Sequence, residues 1–571
     1  MSPGMTDEDT PEETTEEGEP ELVPGSIAVE ATGDYTVEVS LEEPFPSALS
    51  MIAYSAFSVV PEGIVGDIEG YDGEMEVSEF ATSNPIGAGP FEFDNWDQGS
   101  SVDVTSFGDY HRDSPSVDLN WATISEPNAQ YNYFNNQNAD LAGVPTSLYD
   151  PSKVSEEDTD SLGRITGTYG PLDNGETVNW AKITEVGTYY IGFNMEQVPK
   201  AVRQAMAYVV TQPEFVTQAY KDRLPAAYHL TPPQIYPGGT EQYNSDTQDW
   251  PYGLNENNID QARQVMEDAG YSEDEPYELQ WTQYTSGAWQ QIGQLIRDRL
   301  DAAHIDMSLE QADFSSLLSR SRNGDLEAYT LGWVADYPAP DNFLQLIDPP
   351  NTNFRNTAAS GARVFWTEDS YTDSENRQAA VEAFDRVQNN SAPSADAQEI
   401  RNDAYLELES ILYDEVPLIP IFHSATEPMW YDYVDYNIYG GMGQSRQKFD
   451  DVSVDKDDSS TLNMINAPVS TLDPIQSSGT ASGEVIQQVF DSLTNYPDGR
   501  TSVEPLLIED FELSDDFTTY TFTLKNGTSF HNGDEVYAED VVYSWRRLAE
   551  SDNSVRSGFL LDFLGVEAEY E

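Results

Sequence analysis

The 571-residue chain contains no cysteine, which excludes disulfides, thiolate zinc sites and a cysteine nucleophile. It also lacks any apolar run of about 18 residues or more, the length that a membrane-spanning helix needs. Positive charge is scarce: 26 Lys and Arg stand against 103 Asp and Glu, a net charge of −77. Such a balance argues against nucleic acid and anionic membrane surfaces as partners. At ordinary salt the surface repels itself, and at molar salt a Debye length of about 3 Å screens most of that repulsion. The acids are spread along the whole chain, as expected for a halophilic protein that uses carboxylates for surface solvation.

Motifs of catalysis are missing too. The five histidines, His111, His229, His304, His423 and His531, do not pair at metal-ligand spacing. There is no GxSxG, P-loop or HExxH. Paired carboxylates suited to glycoside hydrolysis arise everywhere among 103 acids, so their spacing is uninformative. The expectation is a protein that is not an enzyme, with no cofactor and no metal, and a halophilic glycoside hydrolase as the distant alternative. What the chain does have is aromatics, with 33 Tyr, 23 Phe and 10 Trp, too many for a disordered acidic polymer.

Residues 1–25 are acidic, Pro-rich and of low complexity, read as a mobile loop and as the opposite of a basic-then-apolar signal peptide. Tyr35–Leu41 alternates as a strand. Short strands with turn signals follow to about residue 190. From about 200 to 330 helices alternate with strands, which predicts an α/β lobe. Val202, Ala205, Met206 and Val209 mark one helical face, and Trp289, Ile292, Leu295, Ile296 and Leu300 mark another. Asp260–Gly270 reads as a helix stopped by glycine, and residues 375–415 as polar helix. Val416–Phe422 reads as a strand too rich in proline for mid-sheet, and residues 440–460 as a linker. Tyr520, Phe522 and Leu524 predict a strand turning back at Lys525-Asn526-Gly527, and Glu539–Leu548 a helix.

Several short motifs carry a family resemblance. Thr471-Leu472-Asp473-Pro474, Val489-Phe490-Asp491-Ser492-Leu493, Tyr520–Leu524, Phe530-His531-Asn532-Gly533 and Ala538–Trp545 resemble, in order, the N-terminal landmarks of family 5 extracellular solute-binding proteins of ABC importers, the oligopeptide, dipeptide and nickel group. The following landmarks stand at the front of the chain: Asp34–Val39, Gly87-Ala88-Gly89-Pro90-Phe91, Tyr189–Asn194, Val202–Ala205, His229–Pro233 and Gly332–Tyr337. Val416–Ile421 is similar to the family's closing strand. The order is complete when read as a circle, so the chain resembles a circularly permuted, haloarchaeal-like member, or else one caught across two tandem or misassembled copies. Glu196–Lys200 is shorter than the family's passage, and the usual lipoprotein cysteine is missing.

The resemblance implies an α/β, two-lobed periplasmic-binding-protein fold (type II, the large three-subdomain variant) with a hinge. Lobe I is expected at 84–197 and 425–490, with an extra subdomain of lobe I at 491–571 plus 26–83, and lobe II at 198–424. It further implies an extracellular monomer that closes two lobes on a short peptide and delivers it to ABC permease subunits. The Asp336 carboxylate, in an element similar to the family's G-W-x-x-D with Gly332 and Trp333, would pair with the peptide's α-ammonium; otherwise it caps a turn before Pro338. Tyr190 and Asn194 match positions near the ligand backbone, or are a core tyrosine and a turn asparagine. Ser478, Gly479 and Thr480 match a ligand-facing loop, or form an ordinary one. Thr330 stands where some oligopeptide binders carry an arginine for the peptide's C-terminal carboxylate. An oligosaccharide-binding member, stacking sugars on Trp281, Trp289 or Trp366, is the alternative, while a nickel-chelate binder lacks any His or Arg element to support it.

Overall fold

The computed structural model describes residues 21–356, 359–456 and 460–571. The chain divides into two compact α/β units, one of residues up to 183 with 427–571, the other of 184–426. The first boundary thus falls at 183/184 rather than 197/198, inside the 16-residue strand Val178–Phe193. The reason is pairing: residues 187–193 form the antiparallel partner of Ala328–Val334 and so belong with the second unit. The expected extra subdomain is part of the first unit, where it carries its own sheet.

In the first unit, Phe91–Asp97, Ser101–Ser106 and Asp118–Thr123 form an antiparallel run. Thr461–Asn466 joins it in parallel, with Leu462 opposite Leu119 and Met464 opposite Trp121, all four buried. The second sheet orders Val29–Gly33, Thr36–Ser40, Thr519–Leu524 and Ile508–Leu513. Val37 faces Phe522 and Val39 faces Tyr520, so two alternating strands far apart in sequence bury one shared face. The reversal expected at Lys525-Asn526-Gly527 does not make a hairpin. Thr519–Leu524 pairs instead with the preceding strand and with Thr36–Ser40, and among the described residues the stretch beyond the turn makes the isolated Ser529–Glu535 bridge.

Residues 1–20 of the acidic N-terminal stretch lie outside the described residues. Its end is ordered: Leu22 bridges Tyr570, and Glu21 and Glu571 exchange backbone hydrogen bonds of 3.1 and 2.9 Å. The predicted linker at 440–460 is also structured where described. Phe449 is fully buried and its N–H donates to Gln488 Oε1, while buried Lys448 pairs with Asp491 at 2.8 Å. Its Gly, Ser and Asp content suits a loop, but a cation that neutralises a buried carboxylate fixes it in the core.

In the second unit, Tyr277–Tyr284 and Ile305–Ala312 run parallel, and Ala328–Val334 extends the sheet. Helix Lys200–Val209 buries Val202, Ala205, Met206 and Val209 against helix Gly287–Asp301, which contributes Trp289, Ile292, Ile296 and Leu300; Leu295 is only partly buried. Helix Ile259–Asp268 ends before Gly270, whose φ of +95° only glycine adopts easily. Residues 375–415 split into helices Ser374–Gln388 and Ala395–Glu415 around Pro393. Leu418–Thr426 is a fully formed strand beside Val178–Phe193, and Ala226 makes a single bridge to Phe422 on its other side.

Asp348 in this unit is 8% exposed, and burial pushes its carboxyl up to about 7, with Asp385 adding to the rise and Arg377 opposing it. Between about pH 4 and 7 the folded carboxyl holds a proton that the unfolded one has lost, so stability falls as pH rises. Asp348→Asn removes the penalty. At pH 8 it should raise the unfolding free energy by about 2–4 kcal/mol, with the gain fading towards pH 4. Unfolding midpoints of both proteins across this range test the assignment; a difference that stays constant with pH rejects it.

Candidate functional site

The G-W-x-x-D element lies where strand Ala328–Val334 ends. Gly332 is required by packing, since a Cβ there would meet the Tyr189 ring at 2.5 Å. Beyond the strand the chain turns through Ala335, whose N–H donates to Val186 O at 3.0 Å. One buried side chain organises the turn. Asn342 Oδ1 accepts from both Trp333 Nε1 (3.0 Å) and the Asp336 N–H (3.1 Å), and its Nδ2 donates to Asp336 Oδ2 at 3.4 Å. Asn342 is held in turn by the short helix Asp341–Leu344, whose Asp341 accepts from Tyr337 and Tyr405 hydroxyls at 2.8 and 3.0 Å. The result is a half-buried carboxylate on a rigid turn, beside a half-buried indole.

Strand register separates the remaining expected residues of this unit. Trp333 faces Thr188, Leu331 faces Tyr190 and Tyr329 faces Gly192, so these share one face of the sheet. Tyr190 is 1% exposed, and burial pushes its hydroxyl up to about 12 despite the opposing pull of Arg363. Beside it Tyr329 Oη and Arg363 Nε are buried without a hydrogen-bond partner among the described residues. Asn194 lies six residues beyond Thr188, about 20 Å along the strand. Its amide closes a turn, donating to Gly324 O and accepting from the Glu196 N–H. The structure therefore brings Gly332, Trp333 and Asp336 together, places Tyr190 farther along the same face, and leaves Asn194 at the opposite end of the strand pair.

Ser478, Gly479 and Thr480 belong to the first unit, at the start of helix Thr480–Val489. Gly479 is the N-cap and offers no side-chain acceptor. Arg556 holds the loop by donating to Ser477 O and Ser478 O at 3.3 and 3.2 Å. The Thr471–Pro474 motif just before is structural. Asp473 is fully buried and pairs with Arg547 at 2.8 Å. The Gly87-Ala88-Gly89 turn is structural as well: a Cβ on Gly87 would fall 2.2 Å from Val489 O, and one on Gly89 2.5 Å from Gln488 O.

Trp281, Trp289 and Trp366 are each no more than 1% exposed, so none offers a face on which a sugar could stack. Among the described residues no group of three His, Asp or Glu side chains is placed to hold a metal, and no helix is long and apolar enough to cross a membrane. Sequence reasoning missed Asn342, Arg363 and Arg556. Only Asn342 had a local signal, standing six residues after Asp336 in a Pro-rich run; the arginines act across large sequence separations.

The model of bacterial extracellular solute-binding proteins, family 5 middle region, matches residues 6–354 and 502–571. Dipeptide-binding protein DppE of Bacillus subtilis is 23% identical over 405 residues, covering 69% of this chain and 64% of its own. The dipeptide-binding protein of Escherichia coli K12 is 22% identical over 423 residues, covering 72% and 68%. The chain thus spans about two thirds of the length of these curated relatives. Among solved structures, the ABC transporter substrate-binding protein CtaP of Listeria monocytogenes aligns over 65% of this chain and 66% of its own, at 17% identity and a TM-score of 0.48. With the family model matching most of its length in two stretches, the chain belongs to the bacterial extracellular solute-binding proteins of family 5.

Proposed function

We propose that this protein is the extracellular substrate-binding component of an ABC importer, that it captures short peptides for delivery to the permease, and that it performs no catalysis. The observation that carries the reading is the Asp336 turn. A carboxylate fixed by Asn342 beside the Trp333 indole suits a peptide's α-ammonium. A charge-assisted hydrogen bond of this kind contributes about 1.5–3 kcal/mol. Burial matters here because molar salt screens an exposed pair. The dipeptide-binding relatives support the same substrate class. The high acid content supports a salt-rich exterior as its setting, and a monomer is the form we expect. The cyclic order of the motifs supports a permuted arrangement of the family's chain.

Tryptophan fluorescence in molar KCl tests the reading. Free short peptides should bind saturably, and the same peptides N-acetylated should bind at least about tenfold more weakly. Response to oligosaccharides alone would overturn it in favour of a sugar-binding member of the family.

A further inference from the structure

Arg363 stands out in a chain of 103 acids, because it makes no ion pair among the described residues. It lies in the second unit, on a segment held from both sides: the Ala362 N–H donates to Leu346 O at 2.9 Å, and Val364 O accepts from the Met195 N–H at 2.7 Å. The Arg363 Cζ is 5.1 Å from the centre of the Phe354 ring, and its Nε is buried without a hydrogen-bond partner. A second orphan stands next to it. Tyr329 is fully buried, and its hydroxyl lies near the Arg363 backbone N–H without closing a hydrogen bond. A close approach fixes that hydroxyl. The Tyr329 ring crosses Gly192, where a Cβ would meet Cζ at 2.7 Å and Oη at 2.8 Å. Tyr190, two residues before Gly192 on the same face of the strand pair, is the third polar neighbour.

A donor taken out of water and left unpaired costs free energy, and two such donors side by side call for one group that accepts from both. A water molecule would meet the hydrogen bonds but leave the guanidinium charge unbalanced. The surroundings do not balance it either. The groups that act on Arg363 electrostatically are the Tyr190 and Tyr329 hydroxyls and Arg322, which has the same sign. Burial holds both phenols above their ordinary range, so at neutral pH they are donors and not counter-ions. Tyr190 and Tyr329 are at most 1% exposed, so the acceptor must be small. We propose that Arg363 Nε and Tyr329 Oη, with Tyr190 beside them, form a site for one monatomic anion, which is chloride in a chloride-rich medium. The ion neutralises the guanidinium and ties the segment around residue 363 to the strand pair of residues 187–193 and 328–334. The net charge of −77 repels anions at long range, but molar salt limits that reach to about 3 Å. The site is independent of the peptide-binding reading.

The test uses the full chain at constant potassium and constant ionic strength, with chloride replacing gluconate in steps while the thermal midpoint is followed. The midpoint should rise by a few degrees and then saturate, as it does when a ligand binds only the folded state. Arg363→Gln should unfold at the same temperature in chloride and in gluconate. Tyr329→Phe keeps the ring and removes one donor, so the half-saturating chloride concentration should rise about 2- to 10-fold. That variant carries the test should Arg363→Gln fail to fold. Crystals soaked in bromide should show an anomalous peak within hydrogen-bonding distance of Arg363 Nε and Tyr329 Oη. A chloride response unchanged in the variants would assign it to general salt screening and overturn the proposal. A midpoint of the unaltered protein indifferent to the exchange overturns it too, as does the absence of bromide from the site.

Discussion

Replacing Arg547 with methionine should lower the unfolding free energy by about 3–5 kcal/mol. The Arg547 guanidinium reaches Asp67 through Nε at 2.7 Å and Nη2 at 2.9 Å, and Asp473 through Nη2 at 2.8 Å. All three side chains are at most 4% exposed. Burial alone would raise the Asp67 carboxyl, but Arg547, with Ser551, more than offsets it and holds it below the usual range. Its contribution is therefore present above about pH 4 and lost as pH falls through the depressed value. Methionine fills the stem's volume but leaves two carboxylates facing each other without a cation. The triple variant Arg547→Met, Asp67→Asn, Asp473→Asn should recover part of the loss, because the cost lies in uncompensated charge. The pair should also persist in molar KCl, unlike the exposed Arg263–Asp260 pair, whose worth is about 0–1 kcal/mol even in dilute buffer. Denaturant unfolding checks both points; a loss below about 1 kcal/mol in the single variant contradicts this account.

Asp336→Asn should weaken binding of free peptides about 10- to 100-fold while leaving stability within roughly 1 kcal/mol. Asparagine preserves the backbone N–H held by Asn342 Oδ1 and can remain beside the Asn342 amide. What it removes is the charge. Hence the variant should bind free and N-acetylated peptides about equally, and its affinity should match that of the unaltered protein for the acetylated form. This double comparison isolates the ammonium–carboxylate term. Loss of the fold would make Asp336 a structural residue. An equal drop for free and acetylated peptides would place the effect outside the ammonium contact.

Local patterns made much of the secondary structure legible. Val37 and Val39 alternate because one face is buried, and Val202, Ala205, Met206 and Val209 recur because a helix presents them to one core. The G-W-x-x-D turn was legible as a motif, but its scaffold was not, since Asn342 acts through a side chain bent back across a proline-rich loop. Lys448 illustrates the opposite failure. Its neighbours have the composition of a linker, and the burial of that segment is made favourable by contacts distant in sequence: Asp491 and the carbonyls of Gln487 and Phe490 hold Lys448, and Phe449 packs into the core.

The division at 183/184 and 426/427 has a consequence for the making of the protein. Synthesis proceeds from the N-terminus, and the second unit is one uninterrupted stretch whose strands pair among themselves. It can fold as soon as residue 426 leaves the ribosome. The first half of the other unit must wait with Asp118–Thr123 lacking Thr461–Asn466 and Thr36–Ser40 lacking Thr519–Leu524. For that interval the nascent chain carries open strand edges, the unpaired backbone groups on which another chain can add a strand.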